Sequence, residues 1–226
     1  MTTILAGESG KPFKILTDLL TSRSPYFREL FGTPKTRRSS LASIPALPST
    51  DVPEASDATL QFPELNEFAF GLFNRWLYGA KLTGPTDFHT MQHYLGLYVL
   101  ASRFQIEKLE NEVMDLTRAY YRATDMSSPP YRLEYIYDNT SGPNKMRGFL
   151  IATAAQRAVA EGGIGGTVMR DVLAQGGELT VDFMDALIRF QAEEGHDVRR
   201  GRDCLWHKHV ETKSCRTKAS DDESRA

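Results

Sequence analysis

Short apolar runs alternate with turn residues at the front of the chain. The segments TILA and FKIL, on either side of the turn Gly7–Gly10, are rich in β-branched and apolar residues and predict two strands of a hairpin. In the following SPYFRELF, Ser24 fits a helix N-cap and Pro25 fits the first helical position. The apolar residues behind them recur at helical spacing, at Phe27, Leu30 and Phe31. The pattern therefore predicts a β-hairpin followed by a helix.

The hydrophobic pattern stops over residues 32–58. Twelve of these 27 residues are Ser, Thr or Pro, and none is aromatic. Such a composition buries too little apolar surface to offset the entropy of ordering the chain. We therefore predict that residues 32–58 are a disordered insertion.

Regular patterning resumes with a short strand at Thr59–Phe62 and a helix that Asn66 can cap. The apolar residues of this helix predict a stripe that faces the core, made of Phe68, Leu72 and Trp76 with Leu65, Phe73 and Leu77 alongside. Phe70 falls off this stripe. Two further helices are predicted, one capped by Thr86 or Asp87 and one that begins at Ile106.

The back half, from the break at Ser127–Pro130, shows helical spacing only. Segments such as NKMRGFLIATAAQRAVA and LTVDFMDALIRFQ predict a helical extension over residues 124–194. The last of these helices places Val181, Met184, Leu187 and Ile188 on one side. Residues 195–226 are polar and irregular, which predicts a tail that is disordered or held by a metal.

The amino-acid composition limits the classes of protein to which this chain can belong. The chain has 226 residues, of which 41% are apolar and 25% charged, and its formal net charge is -2. These values are typical of a globular protein, and they give no overall basic surface that would attract nucleic acid. No apolar run is long enough to cross a membrane, and no secretory leader is recognisable. Only two cysteines occur, so we expect a reducing compartment, cytoplasmic or nuclear.

Several segments in a fixed order resemble a BTB/POZ domain of the kind abundant in filamentous fungi. They are KPFKILTDLLTSRSPYFRELF, FNRWLYGAKL and LYVLASRFQIEKLENEVMDL, followed by YIYDNTSGPNKMRGFLI. The resemblance implies an α+β fold, a small sheet with a cluster of short helices, over residues 1–123. It also implies a role in protein–protein interaction and no catalysis. In this family the first hairpin, with its glycine-containing turn, binds no phosphate.

The family resemblance also implies the kind of partner. BTB domains associate with themselves or present a surface to other proteins, among them cullin scaffolds of ubiquitin ligases and transcriptional regulators. The extension over 124–194 would then widen the docking surface. The usual His after the second strand is Leu16 here, and the following Lys is Thr17. That His lines a charged pocket at the dimer face of many relatives, so the sequence leaves homodimerisation open.

The segment CLWHKHVETKSC is the candidate metal site of the chain. Cys204, His207, His209 and Cys215 place two thiols and two imidazoles within twelve residues, a ligand set suited to tetrahedral zinc. The spacing matches no familiar zinc finger, and a polar tail is also compatible with disorder. The sequence leaves both interpretations open, and it indicates no other cofactor.

Two weaker candidate sites and two alternative functions also follow from the sequence. Ser40, in the pattern RRSSL, is a candidate phosphorylation site for a basic-directed kinase. His89 and His93 have metal-ligand spacing on a helix, but no third ligand is evident and we expect surface histidines. Two other functions stay open: an enzyme with an unrecognised site, and a zinc-containing nucleic-acid-binding or regulatory protein. The balanced charge of the tail argues against nucleic acid as a partner.

Overall fold

The structure is a computed structural model that describes residues 1–32, 58–164, 166–192, 197–200 and 203–215. Within them the chain forms three strands and ten helices, so the expected α+β class is confirmed. Most of the predicted insertion at 32–58, together with Ser40, lies outside the described residues. The predicted tail at 195–226 is described only in part.

The chain divides into two compact units. The first consists of Met1–Thr83 with Leu100–Ile106, and the second of Gly84–Val99 with Glu107–Ala226. This division follows the contacts between residues. The boundary between a BTB domain at 1–123 and an extension at 124–194 rests on the resemblance and stays a prediction.

A three-stranded sheet forms one side of the first unit. Its strands are β1 (Thr2–Ala6), β2 (Lys11–Ile15) and β3 (Ala58–Phe62), in the order β2-β1-β3. β1 pairs antiparallel with β2 and parallel with β3. The turn between β1 and β2 has positive φ at Gly7 and Gly10, which glycine adopts without strain. The predicted hairpin is therefore confirmed.

The first unit also contains three whole helices, α1 (Thr17–Arg23), α2 (Pro25–Gly32) and α3 (Glu67–Leu77). The Ser24 hydroxyl accepts a hydrogen bond from the Phe27 N–H at 3.3 Å and donates one to the Phe104 carbonyl at 2.6 Å. The Asn66 side chain accepts from two N–H groups at the start of α3, at 2.9 and 3.0 Å. Both predicted N-caps are confirmed.

The buried face of α3 agrees in part with the predicted stripe, since Leu65, Phe73, Trp76 and Leu77 are buried as predicted. Its buried residues are Ala69, Phe70, Phe73, Trp76 and Leu77, whereas Phe68 is 55% exposed. The Phe70 ring lies 4.7 Å from the ring of Phe13 in β2. Apolar residues of this helix lie around most of its circumference, so its sequence is compatible with more than one buried stripe. Packing against the sheet decides which one is buried, and the prediction that excluded Phe70 was wrong.

The helices that follow are α4 (Phe88–Arg103), α5 (Glu107–Ala123), α6 (Pro130–Asn139), α7 (Lys145–Ala160), α8 (Thr167–Ala174), α9 (Gly177–Ala192) and α10 (Asp203–Trp206). In the second unit α7 packs against α9, and α6 contacts both. α9 buries Leu179 and Phe183. The side that carries Val181, Met184 and Ile188 is exposed. Among the described helices, none combines the length and apolar composition that a membrane crossing requires.

Two arginines are buried in the second unit. Arg132, at 0% exposure, donates to the Phe88 carbonyl at 2.8 Å and to the Tyr121 hydroxyl at 3.2 Å. Arg147 donates to the Tyr137 carbonyl at 2.8 Å and pairs with Glu178 at 2.6 Å. These hydrogen bonds offset part of the cost of removing a guanidinium from water.

Candidate metal centre

The residues 203–215 include α10 and a loop. The indole of Trp206 lies 5.5 Å from the ring of Phe149 in α7, in an edge-to-face arrangement. A Cβ at Gly148 would approach this indole to 3.4 Å, so the absence of a side chain there leaves room for Trp206. The Lys145 ammonium donates to the Leu205 carbonyl at 2.8 Å. α7 therefore holds the start of the segment through one aromatic contact and one hydrogen bond.

The loop after α10 rests on polar side chains of α5. Asn111 makes a reciprocal pair with the backbone of Lys208: its Oδ1 accepts from the N–H at 2.9 Å, and its Nδ2 donates to the carbonyl at 2.8 Å. The Lys208 ammonium pairs with the buried carboxylate of Glu110. Because Glu107, Glu110 and Asn111 are three and four positions apart, they lie on one side of α5.

Glu107 binds the tip of the loop. Its carboxylate accepts hydrogen bonds from the N–H groups of Val210 at 2.9 Å, Glu211 at 3.1 Å and Thr212 at 2.8 Å. It also accepts from the Thr212 hydroxyl at 2.5 Å. The loop therefore arranges three successive N–H groups around a single anion.

The pKa values of the two glutamates shift in opposite directions, although burial acts to raise both. Burial alone would raise the pKa of the Glu107 carboxyl. The hydrogen bonds from Thr212, Glu211 and Val210 favour its charged form more strongly and lower the pKa from 4.5 to about 2. Glu110 has fewer such donors, so burial raises its pKa although the Lys208 ammonium opposes the shift. Glu107 is therefore the fixed anion of this contact.

Three potential metal-ligand atoms lie close together within the segment 203–215. The Nε2 atom of His209 lies 3.3 Å from the Sγ atom of Cys204 and 3.6 Å from that of Cys215. The three atoms all lie within 4.8 Å of one another. Two ligand atoms of a tetrahedral zinc ion, one sulfur and one nitrogen, are about 3.5 Å apart. The observed spacing fits that geometry.

His207 joins this group through Cys215. Its Nδ1 atom lies 3.1 Å from the Cys215 Sγ atom, and its ring is 8% exposed. Its other nitrogen, Nε2, lies 2.8 Å from the Asp115 carboxylate in α5. His209 has a similar arrangement, because its Nδ1 atom lies 3.3 Å from the Thr212 hydroxyl. Each imidazole thus directs one nitrogen toward a thiol and the other toward an oxygen.

Of the four residues that the sequence singled out, the structure brings together the donor atoms of Cys204, His209 and Cys215, and it places His207 in contact with Cys215. Within the described part of the chain, the one group of three or more residues placed to share a metal is drawn from this set. His89 and His93 therefore gain no third ligand among the described residues. Sequence analysis missed the supporting residues of α5, Glu107, Asn111 and Asp115. Their one signal was the spacing of four residues between them, which places all three on one side of α5.

Comparison of the chain with family models, with curated proteins and with solved structures gave no match in any of the three.

Proposed function

We propose that this chain is a protein-interaction module of BTB type that catalyses no reaction. The order of its elements supports the proposal: two strands, two short helices, a third strand and three further helices follow one another up to residue 123. The hydrophobic pattern of the sequence predicts the same order, and the resemblance implies a small sheet with a cluster of short helices. The parallel pairing of β3 with β1, across the predicted insertion, gives the small sheet of such a domain.

The surface around Leu16 is the candidate docking surface of this module. Leu16 is 51% exposed and lines a shallow depression with Met1 and Leu19. Its backbone N–H donates to the hydroxyl of Tyr78, whose side chain is also half exposed. Where many BTB domains carry a charged pocket, this depression combines the polar residues Thr17, Asp18 and Ser22 with the apolar side chains of Met1, Leu16 and Leu19. Covering the apolar side chains with a partner would stabilise the complex by roughly 25 cal/mol per Å² of apolar surface buried.

A cullin scaffold is the partner to test first. The full chain, purified and mixed with the purified amino-terminal part of a cullin, should form a complex of defined mass in size-exclusion chromatography with light scattering. Leu16→Asp should weaken this complex at least tenfold, because it places an unpaired charge in the interface. The same measurement on the chain alone gives its oligomeric state.

Phe68→Asp is the matched control. Phe68 is exposed to a similar extent, 55%, and lies at the start of α3, whereas Tyr78 marks its end. We expect this variant to bind as the unmodified chain does. Absence of a complex with the unmodified chain would contradict the cullin proposal. Equal loss with both variants would contradict the assignment of the surface around Leu16.

The nucleic-acid alternative gains no support from the candidate metal centre. The loop over α5 faces the carboxyl groups of Glu107, Glu110 and Asp115, and its Lys208 is paired with Glu110. Anionic groups at this position would repel a phosphate backbone. Retention on immobilised DNA that falls steeply with salt would contradict this reasoning.

A further inference from the structure

We infer that Cys204, His207, His209 and Cys215 bind one structural zinc ion, which fastens the segment 203–215 to α5. The inference concerns the C-terminal segment alone and is independent of the interaction function proposed above. It rests on donor spacing, on the orientation of the two imidazoles and on the way in which the segment is anchored.

Three donor atoms, from Cys204, His209 and Cys215, have the mutual spacing of ligands on a tetrahedral ion, and His207 lies against the sulfur of Cys215. The sulfur–nitrogen separations of 3.3 and 3.6 Å at His209 and 3.1 Å at His207 bracket the spacing of about 3.5 Å between such ligands on zinc. Two thiolates and two neutral imidazoles also balance the charge of a divalent ion. This matters because His207 is buried and both cysteines are half-buried.

The rings of His207 and His209 have the orientation that is usual for metal-bound histidines. A metal-bound histidine usually gives its second ring nitrogen to a carboxylate or another oxygen, which fixes the ring and its tautomer. His207 does so with Asp115 at 2.8 Å, and His209 does so with Thr212 at 3.3 Å. Thr212 is itself bonded to Glu107, so α5 positions both rings. Asp115 and Thr212 are therefore positioning residues for the metal.

The ligand set favours zinc in a structural role. Mixed thiolate and imidazole ligands in a tetrahedral arrangement are typical of zinc, while magnesium and calcium prefer oxygen. With His207 as the fourth ligand, the ion would have no position left for water or substrate, which is the mark of a structural site.

The segment needs such an anchor, because it buries few apolar side chains. Leu205 is 58% exposed and Val210 is 90% exposed, so Trp206 is its main apolar contact. Hydrogen bonds to Glu107 and Asn111 hold the backbone, but a loop without a core opens easily. A zinc ion bound to the closed loop alone would stabilise it by mass action.

A disulfide between Cys204 and Cys215 is the competing state of the two thiols. Neither cysteine is in a disulfide in the structure, but their Sγ atoms lie within 4.8 Å of each other, so a small movement would bring them to the sulfur–sulfur bond length of about 2.05 Å. A disulfide would remove both thiolates and leave no zinc site. The two states differ in mass and are therefore distinguishable.

The test is a metal analysis of the full chain, expressed in zinc-supplemented medium and purified without chelator. Native mass spectrometry and elemental analysis should give one zinc per chain. X-ray absorption should show two sulfur ligands at about 2.3 Å and two nitrogen ligands at about 2.0 Å. A metal-free mass, a different metal or a Cys204–Cys215 disulfide would overturn the inference.

Variants then test the individual ligands. Cys204→Ser should lose the zinc, whereas His89→Gln, which changes an exposed histidine elsewhere, should keep it. Asp115→Asn should retain the ion but weaken its affinity by roughly 10- to 100-fold in chelator competition, as expected when the group that orients a ligand is removed. Equal affinity in Asp115→Asn and the unmodified chain would contradict the role given to Asp115.

The anchoring role has its own measurement, which does not depend on any variant. Removal of zinc from the unmodified chain by a chelator should raise amide hydrogen exchange at least tenfold in the peptide that covers 203–215. Exchange in β1 and β2 should not change. If the peptide exchanges at the same rate with and without zinc, the metal does not fasten the segment and the inference is wrong.

Discussion

Replacement of Glu107 by glutamine probes the contact between α5 and the loop most directly. The carboxylate accepts three backbone N–H groups and one hydroxyl from Val210, Glu211 and Thr212. Glutamine has nearly the same shape but no charge and a single acceptor oxygen. Glu107→Gln therefore removes the charge-assisted part of four hydrogen bonds with little change in volume.

The lowered pKa of Glu107 sets the size of the effect. A fall from 4.5 to about 2 corresponds to about 3 kcal/mol, at about 1.4 kcal/mol per pKa unit. Glutamine keeps part of the bonding, so we expect Glu107→Gln to weaken loop docking by about 2 kcal/mol at pH 7. Amide exchange of Val210, Glu211 and Thr212 should then rise roughly 30-fold.

The pH dependence distinguishes charge from shape. Because the folded pKa is lowered, the contribution of Glu107 is complete above pH 4.5 and is lost as the pH falls toward 2. The difference in loop stability between Glu107→Gln and the unmodified chain should therefore shrink over this range. Both proteins are compared free of metal, so that zinc release does not contribute.

Glu8→Gln is the control for this experiment, because Glu8 is an exposed residue in the turn between β1 and β2. Its loop amides should exchange as in the unmodified chain at every pH. A difference between Glu107→Gln and the unmodified chain that is the same at pH 7 and pH 3 would refute the electrostatic explanation.

Substitutions at three further positions test the helix cap and the side-chain packing within the two units. Arg132→Ala should lower the free energy of unfolding by about 4 kcal/mol in urea denaturation, since it leaves a cavity and an unpaired Phe88 carbonyl; a loss below about 1 kcal/mol would contradict this. Asn66→Ala should cost about 1 kcal/mol in the same assay, while Asn66→Ser keeps a cap and should cost less. Gly148→Val should displace Trp206 and raise the rate of proteolysis within 203–215 at least tenfold. Gly148→Ala should raise this rate less. Unchanged cleavage in the valine variant would show that Trp206 does not anchor the segment.

Sequence reasoning succeeded where a few neighbouring residues carry the information. The caps at Ser24 and Asn66 bond to N–H groups two or three positions away, so a short window contains both partners. It failed on α3, where Phe68 and Phe70 are both apolar and only one can face the sheet. Phe13, far away in the sequence, decides between them by packing against Phe70.

The same contrast between neighbouring and distant residues applies to the candidate metal centre. Its four candidate ligand residues stand within one short segment, so the sequence alone suggested a zinc site without any knowledge of the fold. The residues that orient and hold them could not be found from that segment, because Asp115 and His207 are 92 positions apart and Glu107 and Thr212 are 105 apart. No local pattern links a helix in the middle of the chain with a loop near its end.

By itself the sequence determined the α+β class, the hairpin, the helix starts and the set of thiols and imidazoles, because each depends on the chemistry of adjacent residues. The tertiary structure decided which face of α3 is buried, left Val181, Met184 and Ile188 of α9 exposed, and set the loop 207–215 on the carboxylates of α5. Burial and long-range hydrogen bonds depend on which segments pack together, and that choice minimises the free energy of the whole chain.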